Sequence, residues 1–345
     1  MAEEQYKGAV LSQEVDQTTP ETTFSDRRGR VKGMGIFQIV LGSLCGLMTL
    51  LLIPVALMQH SVALKMNMQG NTSFSMVMSI GVYALLSASF IYVGVAAIKA
   101  RRWVPKVVLA VNWPFLVIGV VAVFAVGWIM PAAMKMSAAS SGISGSAGMM
   151  TGSILTMITV MVIIGVIAIY VVIPGLHVLL FRGEAVQRTC DKYDPNPRWT
   201  DDLPTSVVGL SIWLGIWGFS WLGMGALGYG AYFGYVPTGF TAAVIGCFAA
   251  AASILLAFQV PKRTPAIWWA VIAFFALMFG GGFSTFLLMD LADFYRRTGL
   301  MPEAQIQLMA PFLDPVTTYT RIGIAASGAG VLAFLVYVKR HFNQT

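Results

Sequence analysis

Eight long apolar runs divide the chain, at roughly residues 33–58, 74–98, 103–130, 153–181, 205–235, 240–260, 265–289 and 319–338. The hydrocarbon core of a bilayer is about 30 Å thick and a helix rises about 1.5 Å per residue, so about 20 apolar residues cross it. Each run meets or exceeds that length. Inside lipid no water satisfies the backbone N–H and C=O groups, which leaves only helices or a closed barrel. The runs are continuously apolar and lack the alternation of a barrel strand. They predict an all-α integral membrane protein with eight transmembrane helices. Composition removes the soluble alternative, since only 11% of residues are charged, where a soluble protein carries about 25%.

Basic residues orient the threading, because the flanks of spans on the cytoplasmic side carry the excess of Lys and Arg. Of the 22 basic residues, only Lys65, Lys135, Arg296, Arg297 and Arg321 fall on one set of flanks. The others fall on the alternate set, which includes both ends of the chain. The reading is a multi-pass protein of the cell (inner) membrane with N- and C-termini cytoplasmic. A missed or invented span would scramble this alternation. The formal net charge of +7 is then a topology signal that also attracts anionic lipid headgroups, and nucleic acid is not needed to explain it. Residues 1–26 hold six acidic residues and one Lys, lack the apolar core of a signal peptide, and read as a disordered acidic cytoplasmic tail. Cys45 and Cys247 lie in apolar runs and Cys190 in a polar stretch, so no disulfide framework is expected.

The two halves resemble one another. Arg102-Trp103-Val104-Pro105 precedes the third run, and Lys262-Arg263-Thr264-Pro265 precedes the seventh. The pair Ala110-Val111 recurs as Ala270-Val271, and Leu41-Gly42 as Leu214-Gly215. The reading is two four-helix membrane repeats, residues 27–182 and 205–345, joined by a cytoplasmic linker over 183–204 that is rich in turn formers. Four helices is an even number, so the repeats insert in the same sense and are parallel, unlike the inverted repeats of many ion-coupled transporters. Small residues mark close helix contacts: Gly42 and Gly46, Gly230 and Gly234, Gly280-Gly281-Gly282, and Ala326, Gly328 and Gly330. Packing is the plain account of these glycines, and a flexible gate at Gly280–Gly282 is the sharper one.

Chemistry-bearing residues are sparse. No Asp, Glu, Lys or Arg falls in the apolar centre of any run, where pumps and ion-coupled carriers keep them. Asp290 and Asp293 end the seventh run, and Asp293 with Arg297 at i, i+4 reads as a surface ion pair or as the mouth of a cation path. His177 follows Pro174, whose missing N–H frees backbone carbonyls for an imidazole. Asn112-Trp113-Pro114 reads the same way, with Asn112 bonding across helices. Trp213, Trp217 and Trp221 share one helix face, either as packing or as the lining of a pocket for an apolar or cationic ligand. Methionine is abundant, at 20 residues, and Met66, Met68, Met134 and Met136 fall on the outer face. Thioethers suit Cu(I), although methionine is also a general filler of apolar gaps.

No nucleophile elbow, zinc-protease helix, phosphate loop or dinucleotide fingerprint is present. His60, His177 and His341 are too scattered to build a site. The expectation is a non-enzymatic polytopic membrane protein without cofactor, an accessory or scaffold subunit of a membrane assembly. Its partners would be the lipid bilayer and other membrane-protein subunits or further copies of itself. The alternative is a permease or flippase-like carrier of an apolar or lipid-like substrate, and copper handling on the outer face is a minor one.

Overall fold

The computed structural model describes residues 25–65, 72–140, 157, 160–301 and 303–342. Met66 and Met68, most of the acidic tail and the link over 141–156 lie outside the described residues, as do the side chains of Met134 and Met136. Among the described residues the protein is all helical, with two isolated bridges in place of any strand. Among the described residues ten helices carry the fold: α1 Arg28–Lys65, α2 Thr72–Ile98, α3 Val104–Ser140, α4 Val160–Phe181, α5 Glu184–Tyr193, α6 Thr205–Leu227, α7 Gly239–Gln259, α8 Pro265–Leu288, α9 Leu291–Thr298 and α10 Glu303–Lys339. Eight are long and apolar enough to cross a membrane. The short, amphipathic α5 and α9 are the exceptions.

Spans pack in consecutive antiparallel pairs: α1 with α2, α3 with α4, α6 with α7, and α8 with α10. No hydrophobic force separates helix from lipid, so close backbone approach decides which helices adhere. A Cβ on Gly35 would lie 2.6 Å from the Gly94 carbonyl oxygen, and one on Gly246 would lie 2.5 Å from the Gly225 Cα. Hydroxyls reinforce both seams. Ser87 donates to the Gly42 carbonyl at 2.7 Å, Ser253 to Leu214 at 2.7 Å, and Ser211 to Ala257 at 2.6 Å.

Three features depart from the sequence reading. The fifth run ends as helix at Leu227, because Gly228 turns left-handed at φ 72°. The chain then folds a tight loop in which the Phe233 N–H donates to the Gly281 carbonyl at 2.9 Å and that of Gly234 to Thr285 Oγ1 at 3.0 Å. The Phe233 ring lies against Gly281 within an unbroken α8, so this glycine acts as a seat. Beyond the seventh run, α10 runs unbroken from Glu303, where an apolar run starting only at 319 was expected. Ile306 and Leu313 bury against Met289, Leu291 and Phe294, and this packing holds the early turns in line. The span therefore encloses Arg321, whose guanidinium donates to the Phe286 carbonyl near the end of α8. Finally, α4 carries a π-helical turn over Ile167–Val172 directly before Pro174, a local widening of the helix next to the residue that cannot donate.

The glycine seam yields a paired expectation. Gly246→Ala forces backbone apart and should lower stability by about 1–3 kcal/mol, the usual cost of overpacking. Gly215→Ala meets nothing within 4 Å and should be neutral or stabilising, because alanine favours helix by about 1 kcal/mol. Unfolding in detergent micelles measures both, and equal effects would contradict the seam.

Candidate functional site

The densest polar chemistry lies where the two halves meet on the face that carries most of the Lys and Arg. Ala100 closes the α2–α3 turn in the left-handed region at φ 49°, and Arg101, Arg102 and Lys106 follow it. Opposite them, α5 and the segment after it supply carboxylates. Asp194, only 2% exposed, receives Arg101 at 3.3 Å, the Arg102 backbone N–H at 3.3 Å and Arg198 at 3.4 Å. Arg102 also reaches Asp191 at 2.7 Å and Asp201 at 3.2 Å. Lys106 donates to three carbonyls, of Thr200 at 2.8 Å, Asp201 at 2.6 Å and Leu203 at 3.3 Å. These bonds tie the start of α3 to the segment that leads into α6. Burial opposes ionisation of Asp194, but the Arg102 amide and the bonds and charges of Arg198 and Arg101 prevail and hold its carboxyl below the usual range. Burial first, and then Asp191 and Asp194, push the Cys190 thiol up to about 12, so it is inert as a nucleophile at neutral pH.

The amphipathic α5 is anchored from its other side. The Arg27 N–H donates to Thr189 Oγ1 at 3.1 Å, the Tyr193 hydroxyl to Asp26 at 2.9 Å, and the Arg28 guanidinium stacks 4.2 Å above the Tyr193 ring. A recess of about 200 Å³ opens here, lined by Arg102, Pro105, Lys106, Gln187, Asp191 and Asp201.

Deeper in the span region, α3 meets α6 through a carbonyl that proline frees. Pro114 has no N–H for the Ala110 carbonyl four residues back, and the Trp213 indole N–H donates to it at 3.3 Å. Phe115 lies 5.1 Å from the same indole. Asn112 was expected to bond across helices, but its amide donates to Val108 in its own helix at 2.8 Å; Trp213 makes the cross-helix bond. His177 is 1% exposed, with Nδ1 2.8 Å from the Ile173 carbonyl and its ring 6.2 Å from Phe37. Its Nε2 and the buried Gln38 Oε1 have no hydrogen-bond partner among the described residues.

The other expected residues are dispersed. Trp217 packs on Phe275 at 5.4 Å and Phe279 at 5.3 Å, while Trp221 stacks on Tyr232 at 5.8 Å. None of the three stripe indoles lines the recess or the apolar groove between α1 and α2 described below. Asp290 caps α9 by accepting the Asp293 N–H at 2.7 Å. Asp293 pairs with Arg296 at 2.8 Å instead of the expected Arg297, because Glu303 draws Arg296 to the same side at 3.3 Å. Among the described residues no three His, Cys, Asp or Glu side chains come together as a metal cluster. Sequence reasoning missed the Asp191, Asp194 and Asp201 network. Its signal was the set of acidic residues in the linker facing three basic residues at the α2–α3 turn.

The chain matches no protein-family model, no curated protein and no solved structure.

The Asp194 cluster predicts an acid dependence. A carboxyl held low in the fold contributes stability above its unfolded pKa of about 3.9 and loses it as pH falls through the folded value. Asp194→Asn should cost about 1.5–3 kcal/mol at neutral pH, the range for hydrogen bonds to charged groups, and should flatten the loss below pH ~4. Thermal unfolding in detergent from neutral pH to acid checks this. An unchanged midpoint in the variant at neutral pH would contradict the network's role.

Proposed function

We propose that this protein is a non-enzymatic accessory or scaffold subunit of a membrane assembly, sited in the cell membrane with both termini cytoplasmic and built as two parallel four-helix repeats. Support for the repeat comes from shared devices. A serine on the second helix of each half donates to the first helix at its Leu-Gly step, Ser87 to Gly42 and Ser253 to Leu214. The turn that follows is closed in each half by a left-handed residue whose N–H donates three residues back, Ala100 to Ala97 at 2.8 Å and Arg263 to Val260 at 3.1 Å.

The observation that carries the scaffold reading is the α1–α2 hairpin. Only 6% of the most apolar stretch of α1 is buried, against 39% for α6. Between α1 and α2 runs an open apolar groove of about 710 Å³, lined by Ser43, Gly46, Leu47, Ala84, Ser87 and Ala88 among others. Small residues with scattered hydroxyls are the surface on which membrane helices pack. Leu50 also lines this groove, and Pro54 offers no amide to its carbonyl. The chain answers the same vacancy at Ala110 with an indole N–H from another helix. The proposed occupant is therefore a partner's transmembrane helix that brings a side-chain donor to this groove. A carrier reading would instead put a lipid-like substrate there.

Photo-crosslinkers at Leu47 and Ala84, used in intact membranes, test the choice. The scaffold reading expects a protein adduct of fixed mass at both positions, absent at Leu287 on α8, and lost when Gly46→Leu fills the groove. Adducts to lipid alone, or a protein adduct that survives Gly46→Leu, would contradict it.

A further inference from the structure

The two halves share a turn but differ in how its charge is met. In the first half Arg101, Arg102 and Arg198 are matched by Asp191, Asp194 and Asp201, and Lys106 is enclosed by carbonyls. In the second half Lys262, Arg263, Lys339, Arg340 and His341 gather at the same face, and none of them forms an ion pair among the described residues. Of the linker carboxylates, Asp191, Asp194 and Asp201 are engaged by arginines, and Asp202 pairs with none of the five cations.

This cluster is built on a rigid base. Val260, Val338 and Phe342 are fully buried in one core with Leu335 and Trp268, which fixes the α7–α8 turn beside the end of α10. Arg263 is held left-handed at φ 55°. Arg340 donates to the Tyr337 hydroxyl at 2.6 Å, stacks 4.2 Å over that ring, and lies 3.2 Å from His341 Nε2. Lys339 sits 4.9 Å above Trp268. Burial first, and then the charges of Arg340 and Arg263, hold the His341 imidazole below its ordinary range. The ends of three spans converge here, and the exposed Trp269 and Tyr337 rings mark headgroup depth.

The geometry points to a binding site for the phosphate-bearing headgroup of an anionic phospholipid, formed by Arg263, Arg340, His341, Lys262 and Lys339 between the α7–α8 turn and the end of α10. A guanidinium held in place, as that of Arg340 is, suits phosphate oxygens, and the flanking aromatic rings suit the glycerol and upper acyl region. A phosphate there supplies the counter-charge that aspartates supply in the first half.

The test uses the full-length protein in detergent, titrated separately with phosphatidylglycerol, phosphatidylcholine of the same chains, and inorganic phosphate, with bound species counted by native mass spectrometry. Phosphatidylglycerol should bind at least about tenfold more tightly than phosphatidylcholine, as expected when several cations meet an anionic headgroup. Arg263→Gln with Arg340→Gln should abolish the preference, and Arg296→Gln with Arg297→Gln on the opposite face should leave it intact. Equal affinity for the two lipids, phosphate binding without lipid preference, or a preference that survives in the first double variant would each overturn the site. If that variant fails to fold, the wild-type imidazole decides. The pKa of His341, followed by NMR, should rise on adding phosphatidylglycerol and stay put with phosphatidylcholine, and an unmoved value would overturn the site.

Discussion

A backbone carbonyl in lipid must find its donor within the protein, and this constraint shapes the chain at every level. It makes each apolar run a helix, and it makes each proline inside a run a structural decision. Pro114 withholds an amide from Ala110, and Trp213 supplies an indole N–H, so the break in α3 becomes a bond between the two halves. Pro174 follows a π-helical turn, and there α3 comes so close to α4 that a Cβ on Gly119 would overlap the Tyr170 carbonyl oxygen. Pro54 offers no amide to the Leu50 carbonyl, and Leu50 lines the open groove between α1 and α2. The same defect thus joins the halves in one place and marks an unfilled surface in another.

The halves share helix pairing but differ in burial and charge. The central α6 is packed on several sides, while α1 and α10 present most of their length outward. On the basic face Arg101 and Arg102 of the α2–α3 turn are met by carboxylates from α5 and the segment after it, while the cations of the α7–α8 turn and the end of α10 form no ion pair among the described residues. That asymmetry follows from the connection itself. The segment that follows the first half carries Asp191, Asp194 and Asp201 back against the α2–α3 turn.

The eight spans were legible because hydropathy and length are properties of a segment, independent of its neighbours. What failed were statements about partners. Asp293 had two arginines at helical spacing, and the choice of Arg296 was made by Glu303, beyond the end of α9. Asn112 was read as reaching outward, but its amide found Val108 one turn back. The indoles of Trp213, Trp217 and Trp221 do share a face, yet residues four apart drift by about 40° per step at 3.6 residues per turn. Each indole therefore meets a different element: α3, then α8, then the α6–α7 loop. Helicity across Pro311 and Pro315 depended on Ile306 and Leu313 packing against α9, a contact distant in sequence from the apolar run it extends. The Asp194 cluster was written in the linker as alternating acid and turn residues, and its meaning required knowing that the segment folds back on the α2–α3 turn.

Eight crossings with the basic turns on one face predict one-sided labelling of single cysteines. In a background lacking Cys45, Cys190 and Cys247, cysteines at Lys99, Asn196, Arg263 and His341 should react with an impermeant thiol reagent from one side of the membrane only, and cysteines at Gly234 and Thr298 only from the other. Any one of the six reacting from the opposite side to its group would contradict the account.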